Sequence, residues 1–81
     1  MKFLDDTITS CLRSTNQTFV NILKEKGEFD DVAAEEALEI TYQSVLNVLS
    51  IEAEQYISKF VGDLELYIKD KIEAKIQENK N

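Results

Sequence analysis

The sequence predicts an all-α fold in one domain, residues 1–81, and three observations predict it. Proline is absent and glycine occurs only twice in 81 residues, so little in the chain interrupts a helix. Apolar residues make up 43% and charged residues 31%, which is typical of folded domains rather than of disordered chains. Apolar residues also recur every three to four positions along most of the chain. We expect an antiparallel three-helix bundle, or a helical hairpin with a long C-terminal helix, completed in either case by dimerisation.

The first helix is expected over residues 3–26. Lys24 and Lys26 suit its last turn, and Gly27 suits its end because glycine readily adopts the left-handed conformation that closes many helices. An apolar stripe runs along this helix at steps of three and four residues and consists of Leu4, Ile8, Leu12, Thr15, Phe19 and Ile22.

The second helix is expected over residues 30–49, with Asp30 as its N-cap. It carries two apolar stripes at different angles, one through Ala37 and Ile40 and the other through Tyr42 and Val45. A helix that is apolar on more than one face has to be covered on more than one side. This requirement, together with the small size of the chain, is the reason to expect a homodimer.

The third helix is expected over residues 51–78. Ser50 followed by acidic residues favours a helix start there, although Gly62 and Asp63 could equally mark an end and a restart. The run at 40–51 is also compatible with a strand, but the chain offers no second strand to pair with it. The apolar stripe of the third helix consists of Ile57, Phe60, Val61, Leu64, Ile68, Ile72 and Ile76.

The net charge of −7 argues against several classes of partner. A chain without a basic patch lacks the contacts that release counterions from nucleic acid, and it gains no attraction to an anionic membrane surface. It also has no apolar run long enough to span a bilayer, and its first ten residues include two aspartates where a signal peptide needs an apolar core. We therefore expect a cytoplasmic protein that binds neither nucleic acid nor membranes directly.

The absence of histidine argues against an enzyme, because histidine is the usual general base and a common metal ligand. Cys11 is the single cysteine, and Arg13 lies two positions away, on a different helix face. We interpret Cys11 as a small buried apolar residue rather than a nucleophile. The sequence thus predicts no catalytic residue, no metal site and no cofactor.

The most acidic part of the chain is residues 24–39, where seven carboxylates and two lysines give a local charge of −5. A helix start at Asp30 explains the first acids, but it does not require the row formed by Asp31, Glu35 and Glu39 at intervals of four residues. Three interpretations remain open: a solvated helix start, a recognition face for a basic partner, and a weak divalent-ion site. The spacing does not match a calcium-binding loop.

Two hypotheses for function follow. The first is a small acidic interaction module, an adaptor or regulator without enzymatic activity, that acts as a homodimer and binds another protein with a basic surface. The second is an acidic inhibitor, of the kind that viruses encode, that occupies the basic groove of a nucleic-acid-binding protein. The residues predicted to bind the partner are the acidic row and three tyrosines expected to be exposed, namely Asp31, Glu35, Glu39, Tyr42, Tyr56 and Tyr67.

Overall fold

The computed structural model of the protein describes residues 2–78, which are mainly helical and include no strand. This confirms the all-α prediction. No helix in the described part of the chain is both long and apolar enough to cross a membrane. The helical elements are α1 (Lys2–Thr15), a π-helical turn (Asn16–Val20), α2 (Asn21–Glu25), α3 (Asp31–Val48), α4 (Ile51–Val61) and α5 (Leu64–Glu78).

The first interruption of the helices lies at the glycine and aspartate that the sequence singled out. Gly27 has a positive φ of 68°, a conformation that residues with a Cβ rarely adopt. Asp30 is the N-cap of α3, and its Oδ1 accepts a hydrogen bond of 2.9 Å from the backbone N–H of Ala33.

The single helix expected over residues 51–78 is wrong, because the chain breaks at both candidate positions. At the first break, Ser50 caps α4 by accepting the Ala53 N–H at 3.0 Å. At the second, Gly62 has a φ of 77° and the Asp63 carboxylate accepts the Leu66 N–H at 3.1 Å. Each break therefore has its own cap, and the predicted third helix is divided into α4 and α5.

The core lies between α1, α3 and α5, each of which packs against the other two, whereas α4 packs chiefly against α5. The hydroxyl groups of Thr15 in α1 and Thr41 in α3 lie 2.8 Å apart within this core. Both threonines also reach a backbone carbonyl of their own helix, so these buried polar groups are hydrogen-bonded. The core cluster consists of Leu4, Ile8, Cys11, Leu12, Tyr42, Val45, Leu49, Ile57, Ile68 and Ile72.

A π-helical turn changes which residues of the first helix face the core. A π turn contains one residue more than an α turn, so the side chains after it are displaced by about one position around the helix axis. As a result Val20 is buried, Phe19 is half-buried and Ile22 is 45% exposed. The expected continuation of the apolar stripe through Phe19 and Ile22 is therefore wrong. Thr18 hydrogen-bonds to the Ser14 carbonyl at 2.8 Å, a type of contact that often accompanies helix distortion.

Candidate functional site

The predicted acidic row lies on α3, but its three members have different surroundings. Asp31, Glu35 and Glu39 are all exposed. Each step of four residues rotates the side chain by about 40° around a helix, so a row of three turns progressively around the axis. Glu39 consequently faces α5 and forms an ion pair with Lys69, with 2.9 Å between Oε2 and Nζ. Both ion pairs found in residues 2–78 involve Lys69, and neither includes Asp31 or Glu35.

Lys69 organises the polar contact between α3 and α5. Its Nζ lies 2.8 Å from Glu65 Oε2 and 5.1 Å from the centroid of the Tyr42 ring. Hydrogen bonds to Glu65 and Glu39 raise the pKa of Lys69 above its usual value. Hydrogen bonds from Lys69 and Gln43 lower the pKa of Glu39. Glu39 therefore takes part in a contact within the chain. Asp31, Glu35 and the adjacent Glu36 are exposed and lie outside both ion pairs of the described residues, and we refer to these three carboxylates as the acidic face.

The three tyrosines also differ. Tyr42 is 9% exposed and belongs to the core, so the expectation that it is an exposed anchor is wrong. Burial, followed by the nearby charge of Glu65, raises the pKa of the Tyr42 hydroxyl. Tyr67 is half-buried, with Lys71 Nζ 5.6 Å from its ring centroid. Tyr56 alone among them is largely exposed, at 60%.

A shallow groove of about 470 Å³ lies between α3 and α5 beside the acidic face. Its walls include four glutamates, with Lys69 as the one cation among the residues described. Val32, which is 67% exposed, contributes an apolar surface to the groove. Within residues 2–78 no group of three or more potential ligands is arranged to hold a metal ion. The charged lining of the groove is therefore mainly acidic.

The most exposed aromatic surface lies on α4. The rings of Tyr56 and Phe60 are 5.1 Å apart at an interplanar angle of 61°, an edge-to-face arrangement. Tyr56 is 60% exposed and Phe60 is 68% exposed. Glu52 and Lys59, two exposed residues of opposite charge, lie two helical turns apart beside this pair.

Phe60 is the residue of this surface that the sequence prediction missed. The prediction placed it on the inward stripe with Ile57, which is indeed buried. A step of three residues rotates Phe60 by about 60° away from Ile57, toward the side of Tyr56. The break at Gly62 then ends α4 soon after Phe60, so a stripe drawn through one long helix does not describe it. The spacing of Tyr56 and Phe60, four residues apart, was the available signal for an aromatic pair.

Cys11 is buried and free, in agreement with its interpretation as a small apolar residue. Desolvation by burial raises the pKa of its thiol. A raised pKa lowers the fraction of thiolate, which is the nucleophilic form.

Comparison of the chain with protein-family models, with curated proteins and with solved structures gives no match. The surfaces described above therefore supply the basis for a functional proposal.

Proposed function

We propose that this chain is a non-enzymatic protein–protein interaction module that acts as a homodimer, with the face of α4 that carries Tyr56 and Phe60 as the dimer contact. One observation carries the proposal: two aromatic rings pack against each other yet remain 60% and 68% exposed. Aromatic side chains contribute more contact energy than most others when they are buried at an interface. Exposed apolar clusters are characteristic of binding surfaces.

A second copy is the occupant that fits this face. In a two-fold dimer the same patch of each subunit meets itself, so the patch has to be complementary to itself in charge. Glu52 and Lys59 provide this complementarity. If two α4 helices pair antiparallel about a centre between Gln55 and Tyr56, Glu52 of one copy faces Lys59 of the other. In this arrangement the antiparallel three-helix bundle of each copy is completed by its partner.

The partner protein is proposed to bind the remaining acidic face, formed by Asp31, Glu35 and Glu36. These side chains are exposed. Glu35 and Glu36 line the groove between α3 and α5, and Asp31 lies one turn before Glu35 on α3. A row of uncompensated carboxylates attracts a basic surface and accelerates encounter with it. Because a dimer presents this face twice, binding to a partner with two basic sites is strengthened by multivalency.

The dimer contact is tested by light scattering coupled to size-exclusion chromatography. The wild-type protein should have twice the 9.3 kDa mass of one chain, and Phe60→Ala should reduce it to 9.3 kDa. Phe3→Ala is the matched control, since Phe3 has a similar exposure of 63% but lies on α1. A wild-type protein that is monomeric at micromolar concentration refutes the homodimer, and equal effects of both variants refute the assignment to α4.

The partner surface is tested by charge reversal. A double variant that carries Asp31→Lys and Glu35→Lys should no longer bind the proteins that the wild-type chain captures from a cell lysate. The captured proteins should also dissociate from the wild-type chain as the salt concentration rises. Glu73→Lys reverses the charge on the α5 side of the groove and tests whether loss of binding also follows from a change on that side. Retention of the same proteins by wild type and double variant at the same salt concentration contradicts this surface.

A second candidate, the acidic inhibitor of a nucleic-acid-binding protein, is favoured by the position of Asp31 and Glu35. These carboxylates lie one turn apart, roughly 6 Å, on an exposed face, which resembles a short row of phosphates. If this candidate is correct, double-stranded DNA should displace the bound partner in competition. A partner that binds DNA and this chain at the same time excludes it.

A further inference from the structure

A cavity of about 320 Å³ lies where the π-helical turn, the loop after α2, the start of α3 and the end of α5 meet. Its lining residues differ from those of the α4 face and the acidic face. The apolar part of its lining consists of Leu12, Val20, Phe29, Ala34, Ala37 and Ile76. Its polar part consists of Asn16, Asn21 and Lys24.

The π turn and two alanines account for this space. The turn brings Val20 to the core in place of the larger Phe19, which reduces the volume that the first helix contributes. On the opposite wall, Ala34 and Ala37 are the smallest side chains that an α-helix accommodates without loss of helix propensity.

The exposure of Ala34 shows that this part of the packing is open. Ala34 lies on the side of α3 that also carries Thr41 and Val45, both of which are 0% exposed. Ala34 nevertheless remains exposed, and it lines the cavity. A continuously packed helix face would bury it as it buries the other two.

The charge of the lining is opposite to that of its surroundings. Residues 24–39 contain seven carboxylates, but none of the side chains that line the cavity is acidic. Lys24 is the charged member, and its Nζ lies 5.5 Å from the centroid of the Phe29 ring at the edge of the cavity. The amide groups of Asn16 and Asn21 add hydrogen-bond donors beside it. The cavity thus combines an apolar interior with one positive charge and amide donors, a pattern that matches an anion with an apolar body.

We propose that this cavity binds a small amphipathic carboxylate, with its apolar body against Ala34 and Ala37 and its carboxylate beside Lys24. An apolar cavity of about 150 Å³ accommodates a benzene molecule, so this one accommodates a ligand of about twelve non-hydrogen atoms. A straight-chain monocarboxylate with ten carbon atoms has this size.

The experiment titrates decanoate into the ¹⁵N-labelled 81-residue chain and follows backbone and asparagine side-chain amide resonances. Decanol and decyltrimethylammonium, which share the apolar chain, serve as neutral and cationic controls. We expect saturable shifts at Asn16, Asn21 and the start of α3 with decanoate, weaker binding of decanol and the weakest binding of the cation. Absence of shifts up to 1 mM decanoate, or equal affinity for all three compounds, overturns the proposal.

Two variants locate the site. Ala34→Leu fills the cavity and should reduce the affinity for decanoate about tenfold or more. Ala74→Leu, at an exposed alanine on α5, should leave this affinity unchanged. Lys24→Gln changes an exposed side chain and leaves the fold intact, so it remains informative if Ala34→Leu is unstable. It should reduce the preference for decanoate over decanol by about threefold, the size expected for an exposed ion pair. Unchanged decanoate affinity in Ala34→Leu, or an unchanged preference in Lys24→Gln, contradicts the proposal.

Discussion

The three helices α1, α3 and α5 and the shorter helix α4 all contain apolar residues but bury them to different extents. In the three-helix core, Leu4, Ile8, Val45, Ile68 and Ile72 are at most 1% exposed, because each helix is covered by two others. In α4, which packs chiefly against α5, Ile57 is buried, but Ile51, Tyr56 and Phe60 are exposed within one short helix. The longer helices α1, α3 and α5 together leave five large apolar side chains exposed, namely Phe3, Val32, Ile40, Val48 and Leu66.

The difference indicates that α4 carries more apolar surface than one chain can cover. Ile51, Tyr56 and Phe60 are 74%, 60% and 68% exposed. Surface positions of a helix are ordinarily polar when no other molecule covers them. The core therefore explains the stability of the fold, and α4 provides the surface from which we infer association.

The largest expected effect compares one residue type in the two regions. Ile68→Ala removes a fully buried side chain from the core and should destabilise the protein by about 2–5 kcal/mol. Ile51→Ala, at a position that is 74% exposed, should change the stability of the monomer by less than about 0.5 kcal/mol. Urea unfolding followed by circular dichroism measures both. Similar losses of stability in the two variants would mean that Ile51 of α4 contributes to the core as much as Ile68 of α5 does.

A smaller effect is expected from the polar contact inside the core. Thr41→Val retains the shape of the side chain but removes the hydroxyl that lies 2.8 Å from that of Thr15. We expect a loss of about 1 kcal/mol, since the contact is buried. Thr18→Val removes a comparable hydroxyl from an exposed position and should cost less than about 0.5 kcal/mol. Equal values from urea unfolding would show that the hydrogen bond between α1 and α3 adds nothing to stability.

The smallest effect concerns the exposed ion pair between Glu39 and Lys69. The pKa of Glu39 is lowered by its hydrogen bond from Lys69, so the pair stabilises the fold above the usual carboxylate pKa and is lost as the pH falls through the lowered value. The midpoint temperature of Glu39→Gln should therefore lie slightly below that of the wild type at pH 7 and coincide with it near pH 2. Glu35→Gln, outside both ion pairs of the described residues, is the matched control and should have a midpoint temperature close to that of the wild type at pH 7. If the midpoint temperature of Glu39→Gln lies below that of the wild type by the same amount at pH 7 and pH 2, the ion pair does not account for the difference.

Local signals in the sequence were sufficient to predict the helical class and several helix ends. Gly27, Asp30 and Ser50 act through their own backbone conformation or through hydrogen bonds to residues three positions away, so their roles can be inferred without tertiary structure. Gly62 and Asp63 act in the same way, and the error there was to choose between two breaks when the chain uses both.

The parts that were mispredicted depend on packing between distant residues. The π turn changes the register after Thr15, a residue whose hydroxyl also contacts Thr41 on another helix. Lys69 contacts both Glu39 and Tyr42, although it lies thirty positions after Glu39 in the sequence. The periodicity of apolar residues within α3 does not indicate these contacts with α5. Tyr67 is half-buried and packs against the core, so three of the six predicted partner-binding residues take part in contacts within the chain.

Hydrogen–deuterium exchange of the wild-type protein over a range of concentrations tests the central claim most directly. If α4 is the dimer contact, protection of the amides in Ile51–Val61 should rise with protein concentration in step with the dimer fraction. Protection in α1, α3 and α5 beyond the contact should reflect the stability of the core and change much less. Protection of α4 that is independent of concentration while light scattering reports a dimer, or a rise confined to another helix, would contradict the claim that α4 is the face through which two copies associate.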